Sequence, residues 1–285
     1  MSYWVAVVTR NGARHLARTL DSLLNQEEKP RLVTVVDDGS SDDTKTVLLQ
    51  YERLNENLTT ITLPDRGYDI RRVPANINLA WKRNIDLATE YFMISGDDCV
   101  YPTAYAGLLL RCMNSMPRTV VASGRPSTGG GRSQEHSPSG SGRMIRCSFW
   151  REVGSKYPSK AGWETWLLYE AAEKGLKVEL LDDLTYEHAR PRGAGHQFVY
   201  WGAAMGTLGY HPLYAIGRIA VNAVKPPFAP KRALNMLRGY LQAKLGSSDA
   251  FIGQYDHSLQ SFIRQKQSQR ISEVFRLGLR SGYGY

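Results

Sequence analysis

The segment Tyr91–Val100, YFMISGDDCV, constrains the fold of this 285-residue chain more than any other stretch. Mostly apolar residues run directly into Ser95, Gly96, Asp97 and Asp98, which predicts a strand buried on both faces. Its carboxyl end would bring two adjacent carboxylates to a sheet edge, where ligands bind in open α/β sheets. Because neighbouring carboxylates repel each other, Mg²⁺ or Mn²⁺ would be a favourable ligand there. The alternative is a simple turn, since Gly-Asp-Asp is also typical of turns.

A second aspartate pair follows another predicted strand nearer the N-terminus. A strand at Tyr3–Thr9 and a leucine-rich helix precede a strand at Leu32–Val36, which runs into Asp37 and Asp38. This alternation of strands and helices predicts a mostly parallel α/β sheet with right-handed crossovers. Both aspartate pairs would then face one crevice. The alternative is an acidic cluster at a helix N-terminus, which the helix dipole favours in any case.

The net charge of +9 is placed unevenly along the chain. The residues after Thr185 hold 13 of the 36 Lys and Arg residues but only 4 of the 27 Asp and Glu residues. This excess predicts an anionic partner, either a membrane surface or nucleic acid. The aromatic and aliphatic residues of the same region fall in amphipathic helical segments, which favours an interfacial membrane anchor. They are Trp201, Tyr210, Tyr214, Ile216, Ile219 and Phe228. The alternative is a pair of ordinary packed helices.

The remaining composition indicates a reducing compartment. The three cysteines, Cys99, Cys112 and Cys147, are odd in number and lack the spacing of a metal site, so no disulfide framework is expected. Arg10 and Arg14 interrupt the first apolar run, so we expect no signal peptide. The sequence contains no uncharged apolar stretch of about 18 residues, so we expect no membrane-spanning helix. We therefore expect a cytoplasmic protein that lies peripherally on the inner face of the cell membrane.

The order and spacing of several motifs resemble one known family. They are VVTRN at 7–11, SLLNQ at 22–26, VVDDGSSDDT at 35–44, NLAWKRN at 78–84, SGDD at 95–98 and GWETW at 162–166. Together they are similar to the inverting nucleotide-sugar glycosyltransferases of family 2, which have the GT-A fold, over roughly the first two-thirds of the chain. The resemblance implies a Rossmann-like, mostly parallel central sheet flanked by helices. It implies a GT-A catalytic domain at 1–192, with a donor-binding half at 1–100 and an acceptor half at 101–192. The charge and the amphipathic segments predict that 193–285 is a C-terminal α-helical extension, basic and membrane-associated.

The resemblance also implies a set of site residues. The nucleotide would be bound by Thr9, Asn11, Asp38, Arg83 and Asp97. Asp97 and Asp98, with His188 as a further ligand, would hold the Mg²⁺ or Mn²⁺ ion that bridges the donor's diphosphate. Arg190 and Arg192 would contact the diphosphate, for which a forked guanidinium is suited. Because Ser95 replaces the first aspartate of the family's usual D-x-D motif, the aspartate that binds the metal directly stays open.

Glu164 is the expected general base. In the family, a Glu-Asp pair begins the corresponding helix, and its aspartate is the usual base. Here the second position is Thr165, which cannot accept a proton at neutral pH. Either Glu164 takes the role or another acid supplies it, and a carboxylate at a helix N-terminus is also an ordinary capping feature.

These patterns predict a metal-dependent inverting glycosyltransferase of glycan or polysaccharide biosynthesis. It would move a sugar from a nucleoside-diphosphate sugar, with a UDP-sugar favoured, to a hydroxyl of a glycan or polyprenyl-linked acceptor at an anionic membrane surface, without nucleic acid. A nucleotidyltransferase is disfavoured because Thr9–Ala13 lacks a glycine-rich phosphate loop. The alternative outside enzymes is a basic nucleic-acid- or lipid-binding protein on a catalytically inactive scaffold of this fold, although the C-terminal third has no recognition motif.

Overall fold

The computed structural model describes residues 1–128, 131–132, 138–190, 197–224 and 230–277. The chain forms two compact units. Unit 1 comprises Met1–Tyr157 and Gly175–Pro191, and unit 2 comprises Pro158–Lys174 and Arg192–Tyr285. The segment Pro158–Lys174 thus groups with the C-terminal helices, although it falls within the catalytic domain predicted from the sequence. The predicted functional boundaries themselves stay a prediction.

Unit 1 contains a nine-stranded mixed sheet among the described residues. The strands are β1 (Tyr3–Thr9), β2 (Val33–Asp37), β3 (Leu58–Thr62), β4 (Tyr91–Gly96), β5 (Cys99–Val100), β6 (Thr119–Thr128), β7 (Gly131–Arg132), β8 (Arg143–Arg146) and β9 (Lys177–His188). Their order is β3-β2-β1-β4-β8-β6-β9-β5, with β7 paired to β6. The first four strands of this order run parallel, as the alternation of elements predicts. Beyond them the sheet is mixed, because β8 runs antiparallel to both of its neighbours.

Helices cover both faces of this sheet. They are α1 (Ala13–Leu24), α2 (Thr44–Leu54), α3 (Val73–Arg83), α4 (Tyr105–Ser115) and α5 (Cys147–Glu152). On one face, Val5 and Met93 belong to the main apolar cluster with the leucines of α1. On the other face, the Trp4 ring stacks on Phe92, with ring centroids 5.5 Å apart. The strand at Tyr91 is therefore buried on both faces, as its unbroken apolar run predicts.

The parallel register aligns the carboxyl ends of three strands. Thr9 at the end of β1 pairs with Asp37 of β2, and Val8 pairs with Gly96 of β4. The residues that come after these strands, Asp38 after β2 and the Asp97–Asp98 pair after β4, consequently reach the same sheet edge. The prediction that both aspartate pairs gather at one edge is confirmed.

Unit 2 is helical. Its helices are α6 (Trp163–Glu173), α7 (Gln197–Thr207), α8 (Pro212–Val224), α9 (Pro230–Leu245) and α10 (His257–Leu277). Helices α7 and α9 pack closely because Gly202 lies against the Met236 carbonyl and Gly239 against the Val199 carbonyl, where a Cβ would overlap. In the part of the chain that the structure describes, no helix combines the length and apolar character needed to cross a bilayer.

The aromatic residues predicted for the membrane anchor differ in position. Trp201 is exposed, whereas Tyr210 is buried and packs edge-on against the Tyr169 ring. Tyr210 therefore cannot contact a membrane, which corrects its predicted role. Phe228 lies outside the described residues.

Candidate active site

Thr9 connects the two aspartate pairs. Its carbonyl oxygen accepts a hydrogen bond from the Asp38 N–H at 2.9 Å. Its hydroxyl donates to Asp97 Oδ2 at 2.6 Å. The turn into α1 is fitted around this contact, because a Cβ at Gly12 would overlap both Thr9 Oγ1 and the Asp97 carboxylate. Thr9 thus orients the Asp97 side chain at the sheet edge.

Asp97 is buried, and both of its carboxylate oxygens are engaged. Arg190 Nη1 donates to Oδ1 at 2.8 Å, while Oδ2 accepts from Thr9 and from Arg190 Nη2 at 3.4 Å. Burial raises the pKa of Asp97 despite the opposing effects of the Arg190 charge and the Thr9 hydrogen bond. The ionised carboxylate is therefore costly in this position, and positive charge placed beside it would offset that cost.

Asp98 belongs to a second group of side chains that overlaps the first, because Arg190 Nε also lies 4.0 Å from Asp98 Oδ2. A carboxylate oxygen of Asp98, the Cys99 sulfur and a His188 ring nitrogen all lie within 4.8 Å of one another. His188 Nδ1 is 3.6 Å from Asp98 Oδ2 and 2.9 Å from the carbonyl oxygen of Arg190. Carboxylate, imidazole and thiol are the donor types that bind divalent transition-metal ions. The residues present therefore fit a divalent cation.

Gly96 allows close packing beside this donor group. A Cβ on Gly96 would lie 3.1 Å from Asp98 Oδ1, 3.3 Å from Ser141 Oγ and 3.9 Å from Cys99 Sγ. The first two distances are shorter than ordinary contacts of a Cβ atom, so a side chain at this position would press on the Asp98 carboxylate and the Ser141 hydroxyl.

Two arginines donate hydrogen bonds to Asp38 at the end of the neighbouring strand. Arg72 Nε and Nη2 bond the Asp38 carboxylate at 2.8–3.1 Å in a forked pair. Arg10 Nη1 donates to the carbonyl oxygens of Asp38 at 2.5 Å and Gly39 at 2.6 Å, and its Nη2 donates to Asp65 at 2.6 Å. Neither arginine is among the site residues predicted from the sequence. The only signal for Arg10 is its place directly after a strand with a predicted site residue at its end.

Asn11 fixes the loop after β2. It has a φ of 51°, which asparagine tolerates better than most residues. Its N–H donates to Ser40 Oγ and its side-chain oxygen accepts from the Ser41 N–H, both at 2.9 Å. The structure thus brings the predicted nucleotide-binding residue Asn11 to the same edge as Thr9 and Asp38.

Arg83 is not brought to this edge. It is the exposed last residue of α3, about 16 Å along the helix from Arg72 at a rise of 1.5 Å per residue. The next residue, Asn84, donates to Thr34 Oγ1 at 2.8 Å, near the start of β2, whereas Asp38 comes after the end of that strand. Arg72 rather than Arg83 is therefore the arginine that contacts Asp38, which corrects the predicted placement.

Two further predicted residues do not belong to the described part of unit 1. Glu164 lies in unit 2, in the first turn of α6, and its side chain is exposed. Arg192 lies outside the described residues. Their roles as general base and diphosphate ligand stay predictions.

Comparison with known proteins identifies the family. The family model described as "Glycosyl transferase family 2" matches residues 4–184, which is more than half of the chain. The chain belongs to glycosyl transferase family 2. It is a glycosyltransferase, and inversion of the anomeric centre is typical of this family. No curated protein matches it in sequence.

The fold of this family 2 glycosyltransferase is similar to solved GT-A structures. The mannosyltransferase PcManGT from Pyrobaculum calidifontis, in complex with GDP-Man and Mn²⁺, aligns with a TM-score of 0.57 at 15% identity, over 96% of this chain and 82% of that one. TarS 1-349 from S. aureus aligns with a TM-score of 0.56 at 16% identity, over 98% and 92% of the two chains. Its complex with UDP-GlcNAc aligns with a TM-score of 0.55 at 16% identity, over 92% and 78%. At these identities the likeness shows the GT-A fold alone.

In this family 2 glycosyltransferase, the two aspartates after β4 differ in their contacts. Asp97 is held by Thr9 and Arg190, and Asp98 stands with Cys99 and His188. The sequence motif alone leaves the two aspartates equivalent. The association of Asp98 with Cys99 and His188 becomes visible only in three dimensions.

Proposed function

We propose that this protein transfers a sugar from a nucleoside-diphosphate sugar, with a UDP-sugar favoured, to a hydroxyl of a lipid-linked or glycan acceptor in a metal-dependent, inverting reaction. One observation carries the proposal: Asp98 and His188, whose donor atoms fit a divalent cation, stand beside the Arg190–Asp97 pair at the carboxyl ends of parallel strands. Two similar structures, one in complex with GDP-Man and Mn²⁺ and the other in complex with UDP-GlcNAc, support this class of donor.

Each side chain of the site has its own role in binding the donor. Asp98 and His188 would hold a divalent cation, which when bound supplies positive charge opposite the departing diphosphate. Arg190 keeps one edge of its guanidinium on Asp97 while its side chain remains 43% exposed, so its other N–H groups can reach diphosphate oxygens. Thr9 and Gly12 keep Asp97, and through it Arg190, in a fixed orientation.

The attack on the sugar needs a base on the acceptor side. The acceptor hydroxyl gives its proton to a carboxylate, and its oxygen bonds to the anomeric carbon as the diphosphate leaves from the opposite face. One displacement of this kind inverts the anomeric centre. We assign the base to Glu164, because it is the carboxylate in the first turn of α6 and Thr165 cannot accept a proton.

A ligand screen tests the donor proposal. We expect one nucleoside diphosphate among UDP, GDP, ADP and CDP to raise the melting temperature, and only with Mn²⁺ or Mg²⁺ present. At about 100 times its dissociation constant, a ligand that binds only the native state adds about 2.7 kcal/mol to the free energy of unfolding. The corresponding nucleosides without phosphate serve as controls. Stabilisation that is equal in excess chelator would contradict a metal-dependent donor site.

The proposed membrane contact rests on one face of α9. Leu234, Leu237, Leu241 and Leu245 recur at helical spacing and are 65%, 38%, 43% and 84% exposed, which forms a continuous apolar stripe. From His188 to Ser248 the chain has eight Lys and Arg residues and no acidic residue. An apolar stripe in a purely cationic stretch complements an anionic lipid surface better than a second protein of mixed charge. A lipid-linked acceptor and a position on the cytoplasmic face of the membrane are consistent with it.

Vesicle binding tests this contact. The double variant Leu234→Gln/Leu245→Gln should lower cosedimentation with anionic vesicles by about tenfold or more, because each leucine loses on the order of 1 kcal/mol of apolar burial. The matched control is Leu49→Gln/Leu54→Gln on α2 of unit 1, where the leucines are 55% and 81% exposed. Equal binding by both double variants, or no binding of the wild type at low salt, would contradict the membrane contact.

A further inference from the structure

We infer that Cys99 is a third protein ligand at the cation site, so that Asp98, Cys99 and His188 together bind thiophilic divalent ions, Zn²⁺ foremost. The inference rests on the proposed function and extends it, since it concerns the same cation site. It goes beyond the carboxylate and histidine ligands expected from the sequence, in which the cysteines have no metal-binding spacing.

Backbone register places the thiol beside the imidazole. Cys99 of β5 lies directly opposite His188 of β9 in an antiparallel pair, so their side chains emerge on the same side of the ladder. Asp98 precedes Cys99, and its Oδ1 is 3.8 Å from Cys99 Sγ. The cluster therefore depends on strand pairing as well as on individual side-chain rotamers.

The separations are close to those of a tetrahedral ion. With Zn–S near 2.3 Å and Zn–N or Zn–O near 2.0–2.2 Å, ligand atoms in such a site stand about 3.3–3.6 Å apart. In this protein the three donor atoms lie within 4.8 Å of one another. Small rotations of the side chains are enough to close the difference.

The donor set determines which ions compete. Mg²⁺ prefers oxygen ligands and keeps several waters, so it would depend on the carboxylate. Zn²⁺ is bound well by imidazole and thiolate, and the Cys99 thiol would release its proton to solvent as the Sγ–metal bond forms. Zn²⁺ would be held by three protein ligands, with one coordination position open. Because imidazole and thiolate bind Zn²⁺ well, it should displace Mn²⁺ from the site.

Cobalt absorption tests this ligation without measuring turnover. We expect one equivalent of Co²⁺, added to the reduced full-length protein, to produce a thiolate-to-cobalt charge-transfer band that Zn²⁺ abolishes. Cys99→Ser and Cys99→Ala should both lack the band and bind Zn²⁺ at least about 100-fold more weakly, since even outer-shell changes cost 10- to 100-fold. Cys112→Ser is the matched control, because this half-buried cysteine lies on α4 outside the cluster and its variant should keep the band.

The outcomes separate this inference from the proposed function. A wild-type protein that shows no charge-transfer band with Co²⁺, while Mn²⁺-dependent nucleotide binding is intact, overturns the inference and leaves the function standing. A band that survives in folded Cys99→Ser also overturns it. A band that depends on Cys99, in a protein that binds no nucleoside diphosphate with any metal, supports the inference and contradicts the proposed donor site. Circular dichroism melting curves confirm that each variant is folded.

Discussion

Replacing Asp98 with asparagine should abolish Mn²⁺-dependent binding of nucleoside diphosphate while the protein stays folded. The amide keeps the size of the side chain but removes the negative charge that faces His188 and Cys99. Divalent cations are held mainly by charged oxygen ligands and by soft nitrogen or sulfur ligands. Because the variant lacks the charged oxygen ligand, we expect its metal-dependent binding of nucleoside diphosphate to be at least about 100-fold weaker. Isothermal titration of the nucleoside diphosphate with Mn²⁺ and with chelator measures the effect.

Two further variants serve as a control and a comparison for Asp98→Asn. Asp86→Asn changes an exposed aspartate of unit 1 and should leave nucleotide binding unchanged. Asp97→Asn removes the charge that pairs with Arg190, so it should weaken nucleotide binding through the loss of arginine positioning while Co²⁺ still binds at the Asp98 cluster. An Asp98→Asn protein with wild-type Mn²⁺ dependence would show that the cation lies elsewhere.

The strand ends could be predicted because their signal is local. A run of apolar residues that ends in Asp97 and Asp98 specifies both a buried strand and the acidic pair at its end, and Tyr91–Ile94 are buried as expected. The different roles of the two aspartates could not be predicted. They depend on His188 and Arg190, about ninety residues later in the chain, which reach the aspartates only because β9 pairs with β5 in the folded sheet.

The placement of Arg83 on α3 could not be predicted from the sequence for a similar reason. A motif fixes the position of Arg83 in the sequence but not which end of its helix faces the strand ends. In the sheet, each crossover helix runs back toward the start of the next strand, so its first turn lies near the ligand edge and its last turn lies at the opposite edge. This topology brings Arg72 to Asp38 and takes Arg83 away from it.

In the C-terminal unit, helical periodicity did not predict the position of Tyr210. This residue lies in the connection between α7 and α8 rather than on a helix face, and it is buried against the Tyr169 ring. The leucines of α9 are the simpler case, in which the apolar stripe lies away from the Gly239 face that packs against α7. Composition indicated the cationic character of this region correctly, because charge does not depend on packing.

Replacing Glu164 with glutamine should lower kcat by about 10² or more with little change in donor binding. Glutamine keeps the size and hydrogen-bonding capacity of the side chain at the start of α6 but cannot accept the proton of an acceptor hydroxyl. Gly162, with a φ of 84°, begins this helix, and the exposed Glu164 lies in its first turn. Steady-state kinetics with saturating donor should show the loss in kcat.

Glu173→Gln provides the matched control for this variant, because Glu173 is an exposed glutamate at the other end of the same helix. It should keep kcat, since Glu173 lies at the helix end away from Gly162. Titration with the nucleoside diphosphate should give equal dissociation constants for both variants, because the base acts on the acceptor and not on the donor. Near-normal turnover by Glu164→Gln would assign the base to another carboxylate, and an equal loss in both variants would point to damage to α6 instead of lost proton transfer.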